Sequence, residues 1–425
     1  MKKSLIATAL CLCLFSVCQA ESRYYNYNAD TEEIENRKSQ LMAQAESGDA
    51  KAQFDAGLAY AEGLYINSDP MVAFSWFEKS ANQGNADAMA MLGYFYLHDD
   101  FIYQDITKGK SLIQQSIDAG SAYGLMIKGI IHYEAIGGTQ QDHQKAKEWI
   151  QKAANLGNAK AQDQLGVIYT DGIGTPIDYQ QALYWYTKSA EQGFAAAQNN
   201  IGYLYHNGYG VEQSADKAIE WYEKAAKQGY TLAQYNLGFI YLYDTGSYKD
   251  YTKAYFWLTK SAERGYSLAQ ADLANIYFNG FGIKKDMGLA LEWITKAANQ
   301  GLANAQFNLG VMYEKGHGVK QDYHQAVHWY KKSANQGYAD AQLNLGYMYD
   351  NGYGVRQDYK QAFNWYAKAA AQNHAIAQYN IGNLYNNGQG VRQNKTTAKE
   401  WFGKACDNGY QYGCDEYRKL NQQGY

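Results

Sequence analysis

The tryptophans of this chain recur at a fixed interval. Trp149, Trp185, Trp221, Trp257, Trp293, Trp329, Trp365 and Trp401 stand 36 residues apart, and Trp76 precedes Trp149 by 73, with Leu112 in the vacant place between them. Small residues keep the same beat: Gly57, Gly93, Gly129, Gly166, Gly202, Gly238, Ala274, Gly310, Gly346 and Gly382. A chain that repeats itself at this period does not build separate globular cores. Each repeat is one supersecondary unit that buries its apolar face only against its neighbours. Ten repeats fill residues 49–409, with one extra residue in the third, near Ala135–Gly138. A length of 425 residues suggests about three domains. The periodicity makes it one array.

Each repeat reads as two antiparallel helices. In the eighth, Ala305, Leu309, Met312 and Tyr313 make an apolar or small face of helical period. A Gly316-His317-Gly318 turn follows, and a second helix entered at Asp322 carries Ala326, Trp329, Tyr330 and Ala334 before Gly337. Down the array that entry position is Asp69, Asp105, Asp142, Asp178, Ser214, Asp250, Asp286, Asp322, Asp358 and Asn394. All are N-cap residues, whose side-chain oxygen accepts from the unpaired N–H groups of the first turn. The exit position is Gly84, Gly120, Gly157, Gly193, Gly229, Gly265, Gly301, Gly337, Asn373 and Gly409, as a left-handed residue after a helix requires. The mid-helix glycine costs about 1 kcal/mol against alanine. Ala274 replaces it once, so the position needs a small side chain, and close approach of a neighbouring helix under the tryptophan is the expected cause.

The pattern Ala-x-x-x-Leu-Gly-x-x-Tyr, a Gly-x-Gly-Val turn, Asp, then Ala-x-x-Trp-Tyr-x-Lys-Ala-Ala-x-x-Gly runs from Ala341 to Asn373 almost residue for residue. In this the chain resembles the Sel-one-like repeat family, relatives of the tetratricopeptide repeat with a slightly longer unit. The resemblance implies an all-α fold: a right-handed α/α solenoid of about ten helix-turn-helix repeats with helical caps, which binds other proteins and is not an enzyme. The pattern departs at His98-Asp99-Asp100 and Asp244-Thr245-Gly246-Ser247, which replace the double-glycine turn, and at His132, which replaces the tyrosine. Turns of different shape are expected there. Residues 31–48 are expected to form an N-terminal capping helix with Ile34, Leu41 and Ala45 inward. Residues 410–425 hold the C-terminal cap, whose Arg418 stands at the small-residue position, acceptable only if no helix follows.

Met1-Lys2-Lys3, an apolar run from Leu5 to Val17 too short to span a bilayer, and Cys18-Gln19-Ala20 read as an export signal cut after Ala20. Residues 1–20 are then a signal peptide, residues 21–30 a flexible lead, and the location is periplasmic or secreted. Removing the signal leaves Cys406 and Cys414, a pair in an oxidising compartment. They bracket the Asn408-Gly409 turn, where an antiparallel hairpin brings their positions together. The cysteine-rich branch of the resembled family uses the same eight-residue spacing for its disulfides, and a structural disulfide is expected here. That branch also supplies the rival function, a cell-wall or β-lactam-binding enzyme, but it carries a cysteine pair in nearly every repeat.

No catalytic constellation is visible: no His-Glu-x-x-His, no Gly-x-Ser-x-Gly, no phosphate loop and no CxxC. The Gly-x-Gly turns recur at repeat spacing without a preceding strand, so they are turn glycines. His324 and His328 lie four apart on a helix with His317 upstream, but their counterparts one repeat on, Lys360 and Asn364, mark solvent positions. No metal or cofactor is expected. After signal removal the chain has 36 basic and 42 acidic side chains, and no basic patch that would suit a nucleic acid. The expected partner is another protein, with no nucleic acid, no membrane insertion of the mature chain, and a monomeric array.

The binding surface is sought by subtraction. Once the consensus face of the first helix is set aside, the positions three before, one after and four after the small residue remain, on one stripe. The residues singled out there are Asn199, Tyr203, His206, Tyr235, Phe239, Phe278, Phe307, Tyr347, Tyr379 and Asn383. They vary between repeats yet stay rich in aromatics and asparagine, the composition interfaces favour. The competing expectation is that some of them pack between neighbouring first helices.

Overall fold

A computed structural model describes residues 31–62, 69–98, 103–244 and 246–425. Among the described residues there are 22 helices and no strand. The eighth repeat shows the unit: a first helix, Ala303–Lys315, a turn, and a second helix, Tyr323–Asn335. Asp322 caps the second helix, its carboxylate accepting from the N–H groups of His324 and Gln325 at 2.9 and 3.0 Å. Its own N–H donates to the Tyr313 carbonyl at 2.9 Å and so closes the turn. The same side-chain cap forms at each of the ten expected entry positions. All ten exit residues are left-handed, Asn373 at φ 61° included.

The turns divide as their sequences do. Gly172, Gly208, Gly280, Gly316, Gly352 and Gly388 end their helices in the left-handed region. In the departing repeats His98 and Asp244 are extended, whereas Ala135 takes the left-handed place at φ 61°. The second glycine of the Gly-x-Gly turns has a different task. A Cβ on Gly210 would stand 2.5 Å from the Tyr179 Cβ, and one on Gly318 would strike the Met287 carbonyl. Here the turn presses on the start of the preceding repeat's second helix.

The mid-helix glycine is covered, but not by tryptophan. A Cβ on Gly310 or Gly346 would lie 2.6 Å from the ring of Tyr330 or Tyr366, and one on Gly202 2.7 Å from Tyr222. The covering residue is the one after the tryptophan. Successive helical residues point about 100° apart, so the tyrosine turns to its own first helix while the tryptophan faces elsewhere. Trp329 joins the cluster of Ala290, Ile294, Ala297 and Ala298 in the preceding repeat. Trp76, Trp185, Trp329 and Trp365 are buried, but Trp149, Trp221, Trp257, Trp293 and Trp401 are only half-buried. A lysine three residues on lies over most of the indoles, at 3.9 Å for Lys296 on Trp293 and 4.4 Å for Lys332 on Trp329.

A glutamine ladder ties repeats together. Gln336 donates to Gln306 at 2.8 Å, and Gln306 donates to the Ala298 carbonyl of the repeat before at 3.1 Å. Gln372, Gln342 and Ala334 repeat the arrangement. Arg264 stands in place of the second glutamine and keeps its partners: its guanidinium donates to the Gly229 carbonyl and to Gln234, as Gln336 donates to Gly301 and Gln306.

The chain forms two compact bodies, one running to Thr245 and including Glu263–Gly265, the other comprising Gly246–Ala262 and Tyr266–Tyr425. In the first, the helix Thr31–Glu46 packs Ala45 and Leu41 against Ala52, Ala56 and Trp76. In the second, the final helix Gln411–Gln422 seats Leu420 on Ala398 and Phe402 and leaves Arg418 exposed. Cys406 and Cys414 bring their Cα atoms within 4.6 Å. The expected signal peptide, the lead and the side chain of Ile34 lie outside the described residues.

Candidate interaction surface

The three stripe positions serve three different ends. The position before the small residue packs. Asn199 is 2% exposed and accepts from the Asn236 amide at 2.9 Å, so it is a buried link between first helices and no contact surface. Phe307 lies half-buried against Tyr330 and Tyr338, and Tyr379 against Phe402 and Tyr410. Tyr235 is likewise half-buried, its ring 6.0 Å from that of Phe239.

The position four after the small residue receives the hydroxyl of the covering tyrosine. Tyr330 donates to Glu314 at 2.6 Å and Tyr366 to Asp350 at 3.1 Å, while the Tyr186 and Thr170 hydroxyls lie 3.1 Å apart. Burial holds Tyr330 and Tyr366 far above the ordinary phenol pKa and raises the Asp350 carboxyl. His206 occupies this position in the fifth repeat and is half-buried, its pKa lowered by burial, and Phe278 packs edge-on to His317. The tyrosine hydroxyl pairs latch a repeat to itself, whereas Phe278 reaches into the next repeat.

The position one after is the outward one. Phe239 is 40% exposed and Tyr347 45%, while Tyr203 and Asn383 are half-buried. The structure adds neighbours that subtraction along the first helix did not include. Tyr243 lies 4.9 Å from Phe239 and is itself exposed. At the turn, Tyr209 stacks on Tyr179 and meets Tyr203, and Tyr353 stacks on Tyr323 and meets Tyr347. The signal was in the sequence: the middle residue of Gly-Tyr-Gly faces the tyrosine that opens a second helix 30 residues earlier. In the first body the outward surface is thus Tyr203, Tyr209, Phe239 and Tyr243. In the second it is Tyr347 and Tyr353.

Family comparison decides what kind of array this is. The Sel1 repeat model matches residues 50–85, 86–121, 129–158, 159–194, 195–230, 231–266, 267–302, 303–338, 339–374 and 375–410. The chain belongs to the Sel1 repeat family. Among curated relatives it is similar to the Sel1-repeat-containing protein YjcO of Escherichia coli K12, 31% identical over 140 residues, which make up 32% of this chain and 58% of that one. The match therefore spans little more than half of that relative's length. Among solved structures it resembles c5321, a protective antigen present in uropathogenic Escherichia coli strains, with 32% identity, a TM-score of 0.52 and coverage of 93% and 91% of the two chains. A Sel1 repeat protein of Oxalobacter formigenes is 30% identical with a TM-score of 0.55, over 81% of this chain and 89% of its own.

A Sel1 array of this kind is an interaction scaffold, since stacked repeats present an extended surface rather than one enclosed pocket. His324 and His328 are exposed, His328 lying edge-on to Trp329 at 5.2 Å. Among the described residues no three His, Cys, Asp or Glu side chains gather closely enough to hold a metal.

Proposed function

We propose that this Sel1 protein is an exported, non-enzymatic binding array that holds a partner protein on the outward aromatics of its first helices. The observation that carries this is the exposure of Phe239, Tyr243, Tyr347 and Tyr353. Large aromatics left in contact with water are the residues that anchor interfaces. Export is supported by the Met1–Ala20 segment and by the likeness to c5321, a protein known as a protective antigen. Use in envelope assembly, in host contact or as an immunity partner for a toxin or lipase all fit such an array. The Cys406–Cys414 pair, at 4.6 Å between Cα atoms, suits a disulfide formed after export.

Capture from envelope extract with the whole mature chain as bait tests the proposal. The partner retained by the wild type should be lost by a Phe239→Ala/Tyr347→Ala variant of unchanged helicity, each truncation weakening binding by about 2 kcal/mol. Equal capture by both proteins would sink the aromatic surface. Nitrocefin hydrolysis that disappears on changing one residue would replace the array by an enzyme.

A further inference from the structure

Two sets of three tyrosines are built alike in the two bodies, 144 residues apart in sequence. In the first, Tyr179 stacks on Tyr209 with ring centroids 4.9 Å apart and planes 11° from parallel, and Tyr203 leans on Tyr209 at 5.8 Å and 60°. In the second, Tyr323 stacks on Tyr353 at 5.1 Å and 17°, and Tyr347 leans on Tyr353 at 5.9 Å and 54°. The two clusters differ in the residue that ends the neighbouring first helix. It is Asp171 in the first body and Lys315 in the second.

Lys315 brings its own ammonium to the second cluster. Its Nζ lies 2.5 Å from Glu314, and that hydrogen bond, with the nearby Tyr323 and Tyr347 hydroxyls, holds the amine above its ordinary pKa. Asp171 brings a negative charge and, among the described residues, no counter-ion. Its Oδ2 is buried and has no hydrogen-bond partner among the described residues. Burial alone pushes its carboxyl up to about 6, and no cation among the described residues offsets the shift. At neutral pH the group is therefore largely ionised. Its charge reaches the hydroxyls of Tyr179, Tyr186 and Tyr203, adding to the burial that raises each of them.

A structural task does not account for Asp171. Asn207, Asn279 and Asn351 stand at the equivalent place in other repeats, and each amide donates to the carbonyl four residues back at 2.9, 3.0 and 2.9 Å. An ionised aspartate has no proton to give there. A carboxylate oxygen buried without a partner is unfavourable, and the Tyr179 and Tyr203 hydroxyls that its charge reaches can accept from a cation. We propose that Asp171, Tyr179, Tyr203 and Tyr209 receive a lysine side chain of the partner protein, whose ammonium takes the place that Lys315 fills in the second body. This rests on the reading of the array as a protein binder and names one chemical feature of what it binds.

The test uses the whole chain and Nα-acetyl-lysine N-methylamide as probe, followed by saturation-transfer difference NMR. Saturable contact at the probe's ε-methylene is expected, weakened about tenfold or lost in Asp171→Asn, with the circular dichroism unchanged. A Thr170→Glu/Asp171→Lys variant, which copies Glu314 and Lys315 into the first body, should also lose it. The norleucine analogue, which has the same stem without the ammonium, should not bind. Three results would each overturn the proposal: wild-type affinity in Asp171→Asn, norleucine binding as well as lysine, or choline binding more tightly than lysine. A lysine probe that binds as expected, beside partner capture indifferent to Phe239 and Tyr347, would retire the aromatic surface and keep the lysine receptor.

Discussion

At Gly346 a methyl group has no room, because its Cβ would stand 2.6 Å from the Tyr366 ring. Gly346→Ala should therefore destabilise by about 1–3 kcal/mol in urea unfolding, despite alanine's better helix propensity. Ala274 shows the reverse case. The residue twenty positions on is Ile294, which shares its buried cluster, and Ala274→Gly should cost about 1 kcal/mol. The sequence disclosed that the position must be small, since periodicity reports which face a residue lies on. Which ring covers it was not disclosed, because one residue of shift rotates a side chain to another neighbour. Glu134 carries a pH effect. Burial pushes its carboxyl from 4.5 up to about 7, although the Tyr94 hydroxyl donates to it at 3.0 Å. Between those values the folded protein binds more protons than the unfolded chain, so stability falls as pH rises. Glu134→Gln should then exceed the wild type by about 1–3 kcal/mol near pH 8, and the advantage should vanish below about pH 4.5. Thermal melts of both proteins at the two pH values check the sign.

The second helices owe their starts to single side chains. Asp322→Ala removes an acceptor from two backbone N–H groups and should cost about 1 kcal/mol. Hydrogen exchange should locate that loss in the first turn of Tyr323–Asn335. The tryptophans are not equivalent, although the sequence presents them so. Trp329 is 8% exposed within its cluster, whereas Trp293 is half-buried with Lys296 over its ring. Trp329→Ala should cost about 3–5 kcal/mol, and Trp293→Ala less. In a stack held by nearest neighbours each loss should open a protease site near its own repeat. Equal resistance of the two variants would show that burial does not rank them. Caps and exits were legible because Asp caps backbone N–H groups two or three residues on and Gly acts through its own φ. The stripe was legible only as a set. Its division into packing, latch and outward positions depends on rings of the second helix, which lies 20 residues on.

Across the chain, length and repeat number could be read from residue spacing, while the changed turns at His98 and Asp244 showed only as departures from it. Intact-mass analysis of protein taken from the envelope, with and without reductant, should find Cys406 and Cys414 joined. Two free thiols there would count against both the disulfide and export. The glutamine ladder has a further consequence, for how such a gene can change. Because Gln306 reaches back to Ala298 and Gln342 to Ala334 in the same way, excising residues 303–338 would hand Gln342 the carbonyl that Gln306 had used. Recombination between neighbouring repeats thus yields a shorter or longer protein whose junctions are already matched, and selection can adjust reach without redesigning a core. Arg264 makes to Gly229 and Gln234 the same two contacts that Gln336 makes to Gly301 and Gln306, so that junction too offers acceptors a neighbouring repeat could use.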